Sequence, residues 1–178
     1  RLRIVRRPRL GATTHRVNAD RRSDRGEGDE RALITEKMAR LNTSITRLFN
    51  IRHPIIQGGM HYVGYAPLAA AVANAGGLGL VTALTQPTPA ELKAELEKAQ
   101  ALLAPDCAGA LGVNLTILPM FKEVNYDEYV RVIIDAGVKA IETAGRPPGD
   151  YVQAFKDAGA SIIHKCVTTR HAKSAQKM

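Results

Sequence analysis

The sequence contains no tryptophan, two cysteines, and aromatic residues at 4% of its 178 positions. No stretch of it approaches the roughly 18 unbroken apolar residues of a membrane-spanning helix, and its start lacks the apolar core of a secretory signal. Cys107 and Cys166 have no CxxC spacing and no nearby histidine cluster, which argues against a disulfide framework and against a zinc site. We therefore expect no bound metal, no membrane partner and a reducing, cytoplasmic location.

Several catalytic motifs are also missing. There is no P-loop, no GxSxG, no HExxH and no paired-carboxylate motif. A dinucleotide fingerprint is absent too, because the glycines at positions 76, 77 and 79 precede an apolar run, whereas such a fingerprint follows one. The sequence thus does not indicate a P-loop nucleoside triphosphatase, a serine hydrolase of the GxSxG type or a zinc hydrolase of the HExxH type.

The net charge of +8 is concentrated in the first part of the chain. Residues 1–37 hold eleven Lys and Arg against six Asp and Glu, whereas residues 38–178 hold fourteen against eleven. Residues 1–37 show no apolar period and are predicted to be a disordered basic tail. An RNA-binding arm and an organelle transit peptide are alternatives. We favour residues that are not native to the protein, because the stretch from Met38 resembles a natural start.

A nucleic-acid partner is not expected for residues 38–178. The chain has only three Phe and five Tyr, and the charge of this part is nearly balanced. Recognition of nucleic acid would need basic residues that converge with aromatic ones.

From residue 55 onward, short apolar runs alternate with longer amphipathic ones, which predicts parallel strands joined by helices. The predicted strands are 55–57, 78–82, 109–115, 139–143 and 161–165. Helices are predicted after Pro67, after a Thr88–Glu91 capping box, and over about 126–136, 149–158 and 169–178. In the third helix the buried positions are predicted to be Tyr129, Val132, Ile133 and Ala136.

These elements fit either an open doubly wound sheet or the first part of a closed (β/α)₈ barrel. A barrel normally needs about 250 residues. We favour the N-terminal part of a TIM barrel, with about five βα units in residues 38–178, because the chain ends inside an apparent fifth helix. Asn-Ala-Gly or Asp-Ala-Gly closes three of the predicted helices, which indicates a repeated βα unit.

Ligands of parallel α/β folds bind at the carboxyl ends of the strands. Gly58 and Gly59 follow the first predicted strand, where they either expose backbone amides to a ligand or form a tight turn. Lys165 ends a strand that is otherwise apolar, and a charge there is costly unless it meets an anion or a polar ligand. Lys165 is the strongest indication of function in the sequence, and we expect its positive charge to act in the functional site.

Structural roles are the favoured interpretation for the two residues next to Lys165. His164 is more consistent with a hydrogen-bonded core histidine than with a catalytic base, because strand alternation turns it away from Lys165. Cys166 could be a nucleophile, but a small buried residue is the simpler interpretation.

Four separated motifs, in order along the chain, resemble those of the nitronate monooxygenase family, formerly called 2-nitropropane dioxygenases. The resemblance runs from about residue 48 to the end, and it implies an FMN-dependent TIM barrel that oxidises alkyl nitronates with O₂. The motifs are His-Pro-Ile-Ile-Gln-Gly-Gly-Met at 53–60, Ala-Ala-Ala-Val-Ala-Asn-Ala-Gly-Gly-Leu-Gly at 69–79, Gly-Val-Asn-Leu-Thr at 112–116 and Ile-His-Lys-Cys at 163–166.

The resemblance also implies a cofactor site. Gly58, Gly59 and Met60 would present backbone to the flavin, Thr116 would hydrogen-bond the cofactor, and Lys165 would lie near flavin N1 and the C2 carbonyl. A fixed cation there stabilises the anionic reduced flavin. The family's catalytic histidine and its phosphate-binding loops would lie beyond Met178, so no catalytic residue is assigned in this chain. We expect the chain alone to be inactive and to bind FMN weakly or not at all.

Related activities stay open at this point. Residues 114–119 and 142–145 resemble the NADH:quinone reductase branch of the family, so the substrate is a small molecule, a nitronate or a quinone, with NADH as a possible second one. Flavin-dependent enoyl-acyl-carrier-protein reductases share the Gln-Gly-Gly-Met start but differ at His-Lys-Cys, which counts against them. A non-catalytic fragment is a further alternative. The sequence leaves the oligomeric state open.

Overall fold

A computed structural model describes residues 41–107, 110–118, 124–149 and 151–178. The predicted basic tail and Gly109, the first residue of the predicted third strand, lie outside these ranges. The described α-helices and strands alternate along the chain from the second helix onward. They are α1 (Ser44–Leu48), α2 (Ala66–Asn74), β1 (Gly79–Thr82), α3 (Pro89–Ala101), β2 (Leu111–Ile117), α4 (Tyr126–Asp135), β3 (Ala140–Gly145), α5 (Tyr151–Asp157), β4 (Ser161–His164) and α6 (Thr169–Ala175).

The four strands form one parallel sheet in the order β1-β2-β3-β4. Each strand therefore pairs with the next along the chain, and the helix between them makes the crossover. All carboxyl ends consequently lie at the same edge of the sheet, where the sequence places its candidate residues.

The first predicted strand, 55–57, is reduced to a single parallel bridge between Ile56 and Leu78. The Gln57 amide donates to the Leu78 carbonyl over 2.9 Å, and the Leu78 amide donates to the Ile55 carbonyl over 2.9 Å. The Ile55 amide donates to the His53 carbonyl over 2.7 Å, and the Gln57 side chain takes both backbone groups of Leu80, so the ladder does not extend in either direction. The bridge still brings the segment that contains Gly58 and Gly59 alongside β1.

The helices begin and end close to the predicted residues. Thr88 caps α3 by accepting the Glu91 amide over 3.2 Å, and its hydroxyl donates to the Glu91 carboxylate over 2.9 Å. The glycines of the three repeated helix ends, Gly76, Gly137 and Gly159, have φ angles of 93°, 70° and 71°. These left-handed conformations explain why glycine recurs there.

Burial along α4 differs in part from the prediction. Tyr129 and Ile133 are buried as expected, whereas Val132 and Ala136 are only partly buried, and Val130 takes the buried position instead. The helix packs on α3, and its buried residues belong to one apolar cluster with those of the sheet. Its buried side therefore differs from the one that spacing alone predicts.

Two clusters of buried apolar side chains cover opposite faces of the sheet. Val81, Val113 and Ile141 lie in one register row and belong to a cluster that includes residues of α3, α4 and α5; we call this the outer face. Leu80 and Ala140, each one residue earlier, pack with Phe49 and Ile51 on what we call the inner face. Helices α3, α4 and α5 thus occupy the outer face, and Phe49, which caps α1, lies on the inner face.

No helix of the described residues is long and apolar enough to cross a membrane.

We expect Leu96→Ala to lower the free energy of unfolding by about 2–5 kcal/mol, because Leu96 of α3 is fully buried against the outer face. Leu102 caps the same helix and is 46% exposed, so Leu102→Ala should cost less than about 0.5 kcal/mol. Urea denaturation of both variants measures the difference. Equal losses would contradict the packing described here.

Candidate functional site

Polar side chains replace apolar ones on the inner face as it approaches the carboxyl edge. Leu80, Gly112 and Ala140 form one register row, and two residues further along each strand come Thr82, Asn114 and Glu142. All three polar residues are buried, with 4%, 1% and 3% of their surface exposed. Buried polar groups need hydrogen-bond partners, so the contacts of this row define the site.

Glu142 is the centre of these contacts. Its Oε1 atom accepts hydrogen bonds from the Gly59 amide over 2.9 Å and from Asn114 Nδ2 over 2.7 Å. The Lys165 ammonium lies 3.1 Å from the same oxygen and forms an ion pair with it. A charged carboxylate tolerates burial only when it is paired and hydrogen-bonded, as it is here.

The Gly58–Met60 segment is attached to the sheet through its backbone amides. Gly59 donates to Glu142, and Met60 donates to Thr82 Oγ1 over 2.9 Å. The Gly58 amide makes no hydrogen bond to a described residue. A Cβ atom on Gly59 would collide with the Asn114 side chain, so only glycine lets the backbone lie this close to β2. Neither Gly58 nor Gly59 has a positive φ angle, so the structure does not support the tight-turn interpretation; glycine is needed at position 59 for the close approach to Asn114.

Lys165 and Thr116 lie one step nearer the edge than Glu142 and Asn114. The Thr116 hydroxyl donates to Asn114 Oδ1 over 3.3 Å. The Lys165 amide continues the ladder to the Thr143 carbonyl over 2.9 Å, and the lysine side chain is 46% exposed while that of Glu142 is 4% exposed. Lys165 thus forms an ion pair with Glu142, and the exposed part of its side chain faces solvent.

The structure brings the predicted site residues together. Gly59 and Lys165 meet at Glu142, and Thr116 reaches the same network through Asn114. The Met60 amide donates separately to Thr82, in the same row of residues as Asn114 and Glu142. Sequence reasoning did not assign a role to Glu142 or Thr82. The signal for Glu142 is the one that identified Lys165, a charged residue in an otherwise apolar strand, and two such charges on neighbouring strands predict a pair.

His164 lies on the opposite side of its strand from Lys165, as alternation indicates. Its Nδ1 atom is 2.9 Å from Thr143 Oγ1. Burial lowers the pKa of His164 below its ordinary value of 6.5, and the nearby positive charge of His171 lowers the pKa further. The histidine is a hydrogen-bonded, partly buried residue of the outer face, which agrees with our interpretation.

The two cysteines are free thiols. Burial is the main cause that raises the pKa of Cys107, and Asp106 adds to it. The Cys166 thiol is partly buried and lies 3.6 Å from the His164 carbonyl. Across the described ranges, no group of three or more His, Cys, Asp or Glu is placed to hold a metal ion.

We expect Gly59→Ala to lower the thermal unfolding midpoint of the protein, because the added methyl group would displace the Asn114 side chain from its contact with Glu142. Gly58→Ala is the matched control. A Cβ atom on Gly58 would meet only Glu142 Oε2, at 3.9 Å, which is ordinary van der Waals contact. A Gly58→Ala protein less stable than the Gly59→Ala protein would contradict this geometry.

We expect the stability of the protein to fall as the pH drops below 6.5, the ordinary pKa of histidine, because the lowered pKa of His164 keeps the folded state neutral while the unfolded chain takes up a proton. Above pH 6.5 the His164 imidazole is neutral in both the folded and the unfolded state, so protonation no longer lowers the stability. His164→Gln should flatten this dependence in urea denaturation at a series of pH values. His61→Gln, on an exposed loop residue, should leave the slope unchanged. Unaltered slopes in both variants would contradict the assignment.

The chain is similar in sequence to two curated dehydrogenases. The chain is 34% identical over 134 residues to the (3aS,4S,5R,7aS)-5-hydroxy-7a-methyl-1-oxo-octahydro-1H-indene-4-carboxyl-CoA dehydrogenase of Mycobacterium tuberculosis (strain ATCC 25618 / H37Rv), covering 75% of this chain and 35% of that protein. The dehydrogenase of the same name from Rhodococcus jostii (strain RHA1) is 29% identical over 136 residues, which cover 76% of this chain and 36% of that protein. The chain spans about a third of the length of these curated relatives.

Solved structures are similar as well. FabK from Thermotoga maritima superposes with a TM-score of 0.66 at 27% identity, over 77% of this chain and 41% of that one. A mutant of the same FabK superposes with the same TM-score, and the match covers 43% of the mutant's chain. Together with the parallel sheet and alternating helices, this likeness confirms the predicted α/β fold, which is that of part of a (β/α)₈ TIM barrel.

The profile of the nitronate monooxygenase family matches residues 42–178, which contain all four motifs and every predicted site residue. The match covers well over half of the chain and confirms the resemblance of its motifs. The chain belongs to the nitronate monooxygenase family.

Proposed function

We propose that this chain is the N-terminal part of an FMN-dependent oxidoreductase that oxidises alkyl nitronates with O₂. The observation that carries the proposal is the half-exposed Lys165 ammonium beside the Gly58–Met60 backbone at the carboxyl edge of the sheet. Family membership supports the class of reaction. The coverage of about a third of the curated relatives supports the assignment as part of a longer enzyme.

The residues at this edge fit the pyrimidine end of a flavin. Flavin N1 and the C2 carbonyl are hydrogen-bond acceptors that gain negative charge on reduction. Lys165 has N–H groups beyond its contact with Glu142 and is 46% exposed, and the Gly58 amide has no described partner. A cation and a free backbone donor at one edge are the groups that such acceptors require.

Each residue has a separate task in this proposal. Lys165 would bind the acceptor edge of the cofactor and Thr116 would hydrogen-bond it, while Gly58 and Gly59 allow close approach because they carry no side chain. Bound FMN supplies the electron-transfer chemistry of the reaction. The protein contributes orientation and a fixed positive charge.

A second candidate substrate is a carboxyl-CoA thioester with a bulky apolar ring system. Both curated relatives are named as dehydrogenases of such a compound. The segment that follows Gly59 exposes three large apolar side chains, Met60, Tyr62 and Val63, at 37%, 70% and 55%. Its backbone is held to the 3₁₀ turn that follows β1, because the Tyr62 amide donates to Thr85 Oγ1 over 3.1 Å. Apolar groups next to the proposed flavin edge would suit a ring system of this kind.

The full-length protein should be purified and its bound flavin identified after heat release. Oxygen uptake with propionate 3-nitronate is expected if the first candidate is right. Turnover of a hydroxylated bicyclic carboxyl-CoA without nitronate oxidation would favour the second candidate. Rapid NADH oxidation with benzoquinone, and no reaction with nitronate, would replace both with a quinone reductase.

We expect Lys165→Met to shift the reduction potential of the bound flavin to a more negative value, because a positive charge that stabilises the anionic reduced form is removed. Lys139 is the matched control, since it precedes β3 at the opposite edge of the sheet and donates to the Ala158 carbonyl over 2.6 Å. Lys139→Met should leave the potential unchanged. An unchanged potential in Lys165→Met would remove Lys165 from the cofactor site.

A further inference from the structure

We propose that Glu142 is a positioning residue that holds the Lys165 ammonium against the Gly58–Met60 backbone and offsets its charge, thereby setting the reduction potential of the bound flavin. The proposal rests on the proposed flavin site and assigns a role to a residue that does not itself contact the cofactor's acceptor edge. Lys165 then acts as one half of an ion pair.

Three donors from distant parts of the chain converge on one oxygen of Glu142. The Gly59 amide, Asn114 Nδ2 and Lys165 Nζ lie 2.9, 2.7 and 3.1 Å from Oε1. A lysine side chain has four rotatable carbon–carbon bonds and loses much entropy when it is fixed. The buried carboxylate restricts the ammonium to one place, and the same atom fixes the Gly59 backbone. The spacing between the cation and the glycine segment is therefore set by Glu142.

The second oxygen of Glu142 is differently placed. Oε2 accepts no hydrogen bond from a described residue, and it lies 3.9 Å from the position that a Cβ atom on Gly58 would occupy. This oxygen is therefore the part of the carboxylate that lies next to the backbone that is proposed to approach the flavin.

The two charges act on a flavin with opposite signs. The Lys165 ammonium favours the anionic reduced form, and the Glu142 carboxylate disfavours it. Because Glu142 is only 3% exposed, solvent screens its charge less than it would a surface carboxylate. The potential of the cofactor should consequently reflect the difference between the two charges and not Lys165 alone.

The test is the reduction potential of the flavin in the full-length protein that carries Glu142→Gln. Glutamine keeps an oxygen that can accept hydrogen bonds from Gly59, Asn114 and Lys165, so the ammonium can stay in place, and it replaces the second, charged-carboxylate oxygen with a neutral NH₂ group. The potential should shift to a more positive value, opposite in sign to the shift expected for Lys165→Met. Glu142→Asp keeps the charge and should return the potential toward that of the wild type. A role confined to holding the fold would change the unfolding midpoint of Glu142→Gln without this reversal of sign.

Glu95 provides a matched control. It also accepts a backbone amide, that of Ala66 over 2.6 Å, and faces a lysine, Lys98, at 3.8 Å, but it lies on α3. Glu95→Gln should leave the flavin potential unchanged. An equal shift in Glu95→Gln would show a general effect of net charge and overturn the proposal.

The outcomes separate this proposal from the function on which it rests. A full-length protein without flavin overturns both. A flavin-loaded wild type whose potential is unchanged or more negative in Glu142→Gln overturns only the role of Glu142. If Glu142→Gln does not fold, the Lys165→Met/Glu142→Gln double variant decides, since it removes both charges together. Its potential should lie above that of Lys165→Met, and equal potentials would overturn the proposal.

Discussion

A carboxylate that is buried in a protein must keep hydrogen-bond donors around it, and Glu142 imposes this requirement on the inner face of the sheet. Its donors come from the glycine segment, from β2 and from the residue that follows β4. Removing any one of them would leave charge insufficiently compensated in a site with little access to water. The carboxyl ends of three chain segments are held in one arrangement for this reason.

The packing of the sheet makes this arrangement possible. The outer face is covered by α3, α4 and α5, and an apolar cluster joins these helices to the sheet. The inner face is apolar at Leu80 and Ala140 and becomes polar two residues further on, at Thr82, Asn114 and Glu142. The change from apolar to polar along one face separates the part that stabilises the fold from the part that is proposed to bind the flavin.

The ion pair with Glu142 changes the interpretation of Lys165. On the sequence alone it is an isolated cation, which would need an external anion. In the fold it has an internal counter-charge 3.1 Å away and still offers nearly half of its side chain to solvent. Such a group can bind a neutral, polarisable ring without requiring that ring to be negatively charged beforehand, which suits a cofactor that changes its charge state during a reaction.

The sequence by itself determined the family, the alternation of strands and helices, and the positions at which the strands end, because these depend on local apolar period, glycine and capping residues. It also placed Gly58, Gly59, Thr116 and Lys165 at one edge. It could not give the extent of the first strand, which depends on pairing with Leu78, or the buried stripe of α4, which depends on its neighbours. Only the tertiary structure decided that Glu142 pairs with Lys165, because hydrogen bonds between distant segments follow from strand register, and register is fixed by packing across the whole sheet.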